Sequence, residues 1–175
     1  MTRPDLTGFL ERAIPLGASV IDLGGGVGLA TRLAGKRASR VLYVDRSAVN
    51  GQMARVECGE FANISYEIGD ALETLKARGP FDVALLLHVL GYSDDPVALL
   101  RSVREHARCL VVEVPDHESD PLNAIRIGEG RPIYLDQGYC VEYNREGLLA
   151  CLVMAGWRVR EVEARNGAVI ACADA

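Results

Sequence analysis

Five short apolar runs punctuate the first two thirds of the chain: Ala18 to Asp22, Val41 to Asp45, Ile64 to Ile68, Phe81 to Leu87 and Cys109 to Val114. Within Val83-Ala84-Leu85-Leu86-Leu87 every residue is apolar, with none of the polar alternation of a strand that faces water on one side. Such strands must be covered on both faces, and the intervening stretches have helical character. This alternation predicts an α/β protein with a mostly parallel sheet between two helical layers. At 175 residues, 49% of them hydrophobic and 25% charged, the chain has the length and balance of a single domain spanning 1–175. No apolar run nears the ~20 residues of a membrane span, and the polar start Met1-Thr2-Arg3-Pro4-Asp5 lacks a signal-peptide layout, so a cytoplasmic protein is expected.

The helices announce their ends. Asp95-Pro96 reads as an N-cap with proline in the first turn, followed by Val97, Leu100, Val103 and Ala107 along one face. Asn144 is placed to cap a last helix that carries Leu148, Leu149, Leu152 and Val153 and stops at Gly156. Beyond it, Trp157 to Val162 and Ala168 to Cys172 flank the turn Asn166-Gly167, which predicts an antiparallel hairpin and a seven-stranded sheet with its last strand reversed. Residues 115–143 form a long connection, expected to be a substrate-side insertion over the acceptor; a dimer contact is the other reading of its tyrosines.

The chemistry concentrates where the first strand runs into Asp22-Leu23-Gly24-Gly25-Gly26-Val27-Gly28. Glycines there permit a tight turn and a close ligand approach. A dinucleotide G-x-G-x-x-G fingerprint fails in every frame, meeting Leu29, Val27 or Thr31 where glycine is required. The chain has instead D-x-G-x-G-x-G across Asp22, Gly24, Gly26 and Gly28. A carboxylate at that turn repels a pyrophosphate and attracts an ammonium or sulfonium group. A second acid, Asp45, ends the second strand about 20 residues on, the distance at which a carboxylate accepts from ribose hydroxyls. A third, Asp70, follows the third strand, where an adenine contact and an ordinary helix cap are equally good readings.

Taken together, Asp22 to Gly28, Asp45, Gly69-Asp70 and Phe81-Asp82-Val83 followed by His88-Val89-Leu90 resemble the ordered motifs of class I S-adenosylmethionine-dependent methyltransferases. The resemblance covers roughly Ala18 to Val114 and implies a Rossmann-like fold with S-adenosylmethionine as methyl donor. It implies that Asp22 and Gly24, Gly25, Gly26 and Gly28 hold the methionine part, that Asp45 meets the ribose, that Asp70 and Ala71 meet the adenine, and that Arg46 also contacts the donor. His88 and Val89 would line the floor beside the methyl group. Small-molecule members often continue His-Val-Leu with Glu-His; here Gly91-Tyr92 follows.

His88 and His117, each just beyond a strand, are the candidate bases, and Tyr92, Arg126, Tyr134 and Tyr139 the candidate acceptor contacts. The acceptor is expected to be a small or medium-sized metabolite. A net charge of −5, no Asn/Asp-Pro-Pro-aromatic run after the fourth strand and no Pro-Cys nucleophile argue against nucleic acid. The five cysteines form no CxxC pair, and no metal is expected. Only Met1 to Gly17 precede the first strand, so a second protomer or a partner subunit is expected to cover the acceptor pocket. A non-catalytic subunit or ligand-binding partner protein of the same fold is the alternative, with a nucleic-acid or protein methyltransferase behind it.

Overall fold

Leu33 and Phe9 on one side of Val20, and Leu100 and Leu148 on the other side of Ile21, show how successive strand residues are buried in opposite directions. The computed structural model describes residues 4–119, 121–131, 138–165 and 167–175. Its strands are β1 (Ser19–Leu23), β2 (Arg40–Asp45), β3 (Ile64–Ile68), β4 (Phe81–Leu87), β5 (Ala107–Pro115), β6 (Arg158–Arg165) and β7 (Ala168–Asp174). They form one sheet in the order β3-β2-β1-β4-β5-β7-β6. Pairs from β3 through β5 are parallel; β7 runs antiparallel to both β5 and β6. This is the expected seven-stranded α/β sheet with its last strand reversed.

One layer holds α1 (Pro4–Ala13), α2 (Leu29–Gly35) and α3 (Ala48–Glu57); Phe9, Leu10, Ile14 and Leu33 pack there with Val83, Val111 and Ile170. The opposite layer holds α4 (Ala71–Arg78), α5 (Pro96–Arg104) and α7 (Arg145–Met154), where Leu75, Leu100, Val103, Leu148 and Leu152 meet Ala84, Leu110 and Val112. Complete burial of one such leucine stabilises by about 1.5–3 kcal/mol.

The caps behave as their chemistry requires. Asp95 accepts from the Ala98 N–H at 2.9 Å with Pro96 in the first turn, and Asn144 accepts from Gly147 N–H at 2.8 Å. Gly156, with φ +85°, takes the left-handed conformation that ends α7. Several strand boundaries differ from the sequence reading by one to three residues, and three of the differences have a visible cause. Ala107 opens β5 rather than extending the α5 face, because that helix stops at Arg104. Trp157 precedes β6, its buried indole donating to the Leu100 carbonyl at 2.9 Å. Strand β6 continues to Arg165 because, past a bulge between Val159 and Glu161, it stays paired with β7 to that point.

Chain order reverses between β1 and β4, since β2 and β3 lie on one side of β1 and the later strands on the other. Such a reversal opens a crevice at the carboxyl ends of the strands. The 115–143 connection holds a short 3₁₀ turn, His117–Ser119, and α6 (Pro121–Gly128), and is tied back by Cys140 N–H to the Gly91 carbonyl at 2.7 Å. No helix among the described residues is long and apolar enough to cross a membrane.

Candidate functional site

A cavity of about 970 Å³ opens at that reversal point. Its walls include the Gly24 to Gly26 backbone, Asp45, Arg46 and Asn50, then Asp70 and Ala71, then His88 and Val89. The expected donor-side residues are thus brought to one hollow, with two exceptions, Asp22 and Gly28.

The glycine turn is fixed from below. Gly24 and Gly25 donate to the Val44 carbonyl at 2.8 and 3.1 Å, Gly26 to the Asp45 carboxylate at 2.9 Å and Gly28 to the Gly25 carbonyl at 3.0 Å. All four N–H groups are spent inside the protein, whereas a phosphate cradle presents such groups to its ligand. Gly25 lies flat on the ring of buried Tyr43: a Cβ there would come within 2.6 Å of the ring and 3.0 Å of Asp22 Oδ2. The Tyr43 hydroxyl donates to the Gly26 carbonyl at 2.7 Å, so Tyr43 is a supporting residue that the motif did not reveal.

Asp22 corrects the expectation of direct ligand contact. Its side chain is 1% exposed, lies beneath Gly25 and accepts from the Thr31 hydroxyl at 2.5 Å; it is not part of the cavity wall. The strand buries it because the turn folds back over the strand end. Burial pushes its carboxyl up from 3.8 to about 6, with the Thr31 bond opposing and the neighbouring Asp45 charge adding to the rise. From that position only its electrostatic field, and not a direct contact, could reach the hollow. Gly28 is likewise structural. It caps α2 at φ +90°, and a Cβ would meet the Ala54 backbone at 2.9 Å.

Asp45 stands in the cavity wall, accepting from Gly26 and Ser47 N–H groups and reached by Asn50 Nδ2 at 3.4 Å. Asp70 caps α4 through the Leu72 and Glu73 N–H groups at 2.9 and 3.0 Å and pairs with Arg46. The Arg46 guanidinium and these backbone donors hold its carboxyl below the ordinary carboxylate value. The cap reading of Asp70 is therefore realised, and the residue also borders the cavity. Asp82, in the same motif series, sits at the other end of the sheet, accepting from the Ser19 N–H and hydroxyl at 2.9 and 2.8 Å and joining the starts of β1 and β4.

His88 follows β4 with φ +58°, a backbone conformation rare for a residue with a side chain. Its N–H donates to the Glu113 carbonyl at 2.8 Å, and its Nε2 lies 3.2 Å from Glu113 Oε2. Glu113 is 2% exposed, lines the cavity and was missed by the motif reading. Its signal was an acid within the apolar run Val111-Val112-Glu113-Val114.

The acceptor-side expectations fare less well. Tyr92 lines the cavity, and Tyr139 packs edge-on against it at 4.5 Å between ring centres without reaching the wall itself. Arg126 donates to the buried Asn123 at 2.6 Å, and Asn123 to the His117 carbonyl at 2.8 Å, so this arginine organises the insertion rather than the cavity. His117 is also absent from the wall; its backbone N–H donates to the Tyr143 carbonyl at 2.9 Å. Tyr134 lies outside the described residues.

This architecture is that of a Rossmann-like α/β protein with a nucleotide-sized crevice at its strand reversal. A family model described as a methyltransferase domain matches residues 3–162, and the chain belongs to that family, in the class I S-adenosylmethionine-dependent group. No curated protein matches it. Among solved structures it is similar to an S-adenosylmethionine-dependent methyltransferase from Mesorhizobium loti (23% identity, 96% of each chain covered, TM-score 0.72). It is similar also to magnesium protoporphyrin IX methyltransferase from Synechocystis PCC 6803, solved with bound S-adenosylhomocysteine (17% identity, 97% of this chain and 80% of that one, TM-score 0.74). A third is a methyltransferase in complex with the Haloferax volcanii Trm112 activator (16% identity, 97% and 92%, TM-score 0.71). At these identities the likeness is one of fold.

Proposed function

We propose that this chain transfers a methyl group from S-adenosylmethionine to a small or medium-sized metabolite. The observation that carries the reading is the hydrogen-bond pattern of the turn. Its glycine N–H groups are consumed by Val44, Asp45 and Gly25, and the acids Asp22 and Asp45 flank it, so the hollow favours positive charge over phosphate. Asp45 and Asn50 would hold the ribose hydroxyls. Asp70 and Ala71 would border the adenine, with Arg46 at the rim and Val89 beneath. The backbone of Gly24 to Gly26, in the field of Asp22, would carry the methionine part. When bound, the donor supplies an electrophilic methyl group on a sulfonium. His88, two-fifths exposed on the cavity floor, is the residue placed to take an acceptor proton.

A small acceptor fits the rest of the hollow, whose wall includes the aliphatic side chains of Leu6, Leu29, Leu33 and Leu87. The exposed Leu122 and Ile125 on α6 support a second copy or a partner subunit over the acceptor side. A non-catalytic subunit is the competing reading.

Calorimetry with S-adenosylhomocysteine tests the proposal. Wild-type protein should bind it, and Asp45→Ala should weaken binding about 10- to 100-fold, since charge-assisted bonds to hydroxyls contribute about 1.5–3 kcal/mol. Absence of binding, or binding unaffected by Asp45→Ala in a variant that remains folded, overturns it.

A further inference from the structure

We infer that Glu113 is a positioning residue for His88, and that the group this pair serves is a hydroxyl on a neutral, largely apolar acceptor; the inference rests on the methyl-transfer reading above. Glu113 holds His88 at two points. Its carbonyl takes the His88 N–H at 2.8 Å, continuing the β4–β5 ladder to the residue whose φ is +58°, and its carboxylate lies 3.2 Å from Nε2. Among the described residues His88 is the only non-glycine residue in that left-handed region. A conformation disfavoured in this way persists where surrounding contacts enforce it. The Glu113 side chain is 3% exposed, and a carboxylate is costly to bury without a hydrogen-bonding partner. With Nε2–H donated to Glu113, a neutral ring carries its lone pair on Nδ1.

The chemistry of the wall selects the acceptor. Leu6 from α1, Leu29 and Leu33 from α2 and Leu87 beside His88 form an aliphatic surface. Arg46 is the only Lys or Arg among the described residues of the wall, and it is paired with Asp70 where β2 and β3 end, away from this surface. A carboxylate or phosphate ester brought against Glu113 would meet like charge, with no Lys or Arg of the described wall beside it. An arylamine, neutral at physiological pH, already presents its lone pair. A hydroxyl oxygen becomes a strong nucleophile only as it loses its proton, and a built base matters for that case. In the step, the acceptor's O–H proton passes to Nδ1 and its oxygen lone pair forms the new C–O bond. The electron pair of the broken C–S bond stays with sulfur, and Glu113 balances the imidazolium.

The chain has three histidines, so His88 can be followed by ring nitrogen NMR in the intact protein without turnover. The wild type should show a downfield, slowly exchanging Nε2 proton for His88, lost in Glu113→Leu and retained in weakened form in the isosteric Glu113→Gln. A rapidly exchanging Nε2 proton, or a spectrum indifferent to Glu113→Leu, overturns the pair. Methyl transfer is then measured on 2-naphthol, a panel of other neutral phenols and alcohols, 2-naphthylamine and 2-naphthoic acid. Hydroxyl members should be methylated, and Glu113→Gln should lower kcat on them 10- to 100-fold while leaving KM within about twofold. Transfer confined to the amine or the acid, or absent from the panel in protein that binds S-adenosylhomocysteine, overturns the acceptor class. Failure of S-adenosylhomocysteine binding counts against the methyl-transfer reading instead, and the NMR result stands apart from it.

Discussion

Replacing Asp22 by asparagine separates what the buried acid does for the ligand from what it costs the fold. Dehydration beneath Gly25 lifts the carboxyl from 3.8 to about 6; the Thr31 hydroxyl opposes the rise, and the Asp45 charge adds to it. Each pH unit of displacement corresponds to ~1.4 kcal/mol, so the ionised form costs the folded state about 3 kcal/mol relative to the neutral one. The direction follows from proton counting. Between about pH 4 and pH 6 the folded chain binds more protons at Asp22 than the unfolded chain does, so stability falls as pH rises through that window and stays low above it. Asparagine keeps an oxygen for Thr31 and does not ionise. Urea unfolding should therefore find Asp22→Asn more stable than wild type by about 2–3 kcal/mol at pH 7.5, with the gap closing towards pH 4. The variant should bind S-adenosylmethionine more weakly, and lose less affinity for the demethylated product, which lacks the sulfonium charge. A variant less stable than wild type at pH 7.5, or a gap that does not change between pH 4 and 7, refutes the reasoning.

Gly25→Ala places a methyl 2.6 Å from the Tyr43 ring, which is wholly buried and cannot retreat; a loss of about 1–3 kcal/mol by thermal unfolding and at least tenfold weaker S-adenosylhomocysteine binding are expected. Trp157→Phe leaves the Leu100 carbonyl without its indole donor and should cost about 1–3 kcal/mol in denaturant unfolding, with S-adenosylhomocysteine affinity unchanged because Trp157 does not border the cavity.

The parts of the fold visible in the sequence are those set by local chemistry. Uninterrupted apolar runs marked buried strands, and Asp95, Asn144 and Gly156 marked helix ends, because each answers to backbone groups within a few residues. The insertion of β7 between β5 and β6 left no local mark. It depends on seven paired residues of β5 meeting a strand some sixty positions later, and a hairpin sequence is the same whichever of its arms faces the sheet.

The site divides along the same line. The position of Asp45, Asp70 and Gly24 to Gly26 at the crevice was legible because a strand end followed by a turn has few geometries, so sequence distance translates into position. Where the chain folds back on itself, the motif misleads: Asp22 reads as a ligand contact yet lies under the turn, since Thr31 and Tyr43 complete the layer that separates it from the hollow. Arg126 misleads similarly, being drawn to Asn123 three residues away. Glu113 is the instructive omission. An acid in the middle of Val111-Val112-Glu113-Val114 conflicts with a strand buried on both faces, and such a conflict between a residue and its local pattern is where function is to be sought. That carboxylate is buried 3.2 Å from His88 in the wall of the cavity, and the pairing inferred above would turn a charge that the core alone would reject into a support for the imidazole.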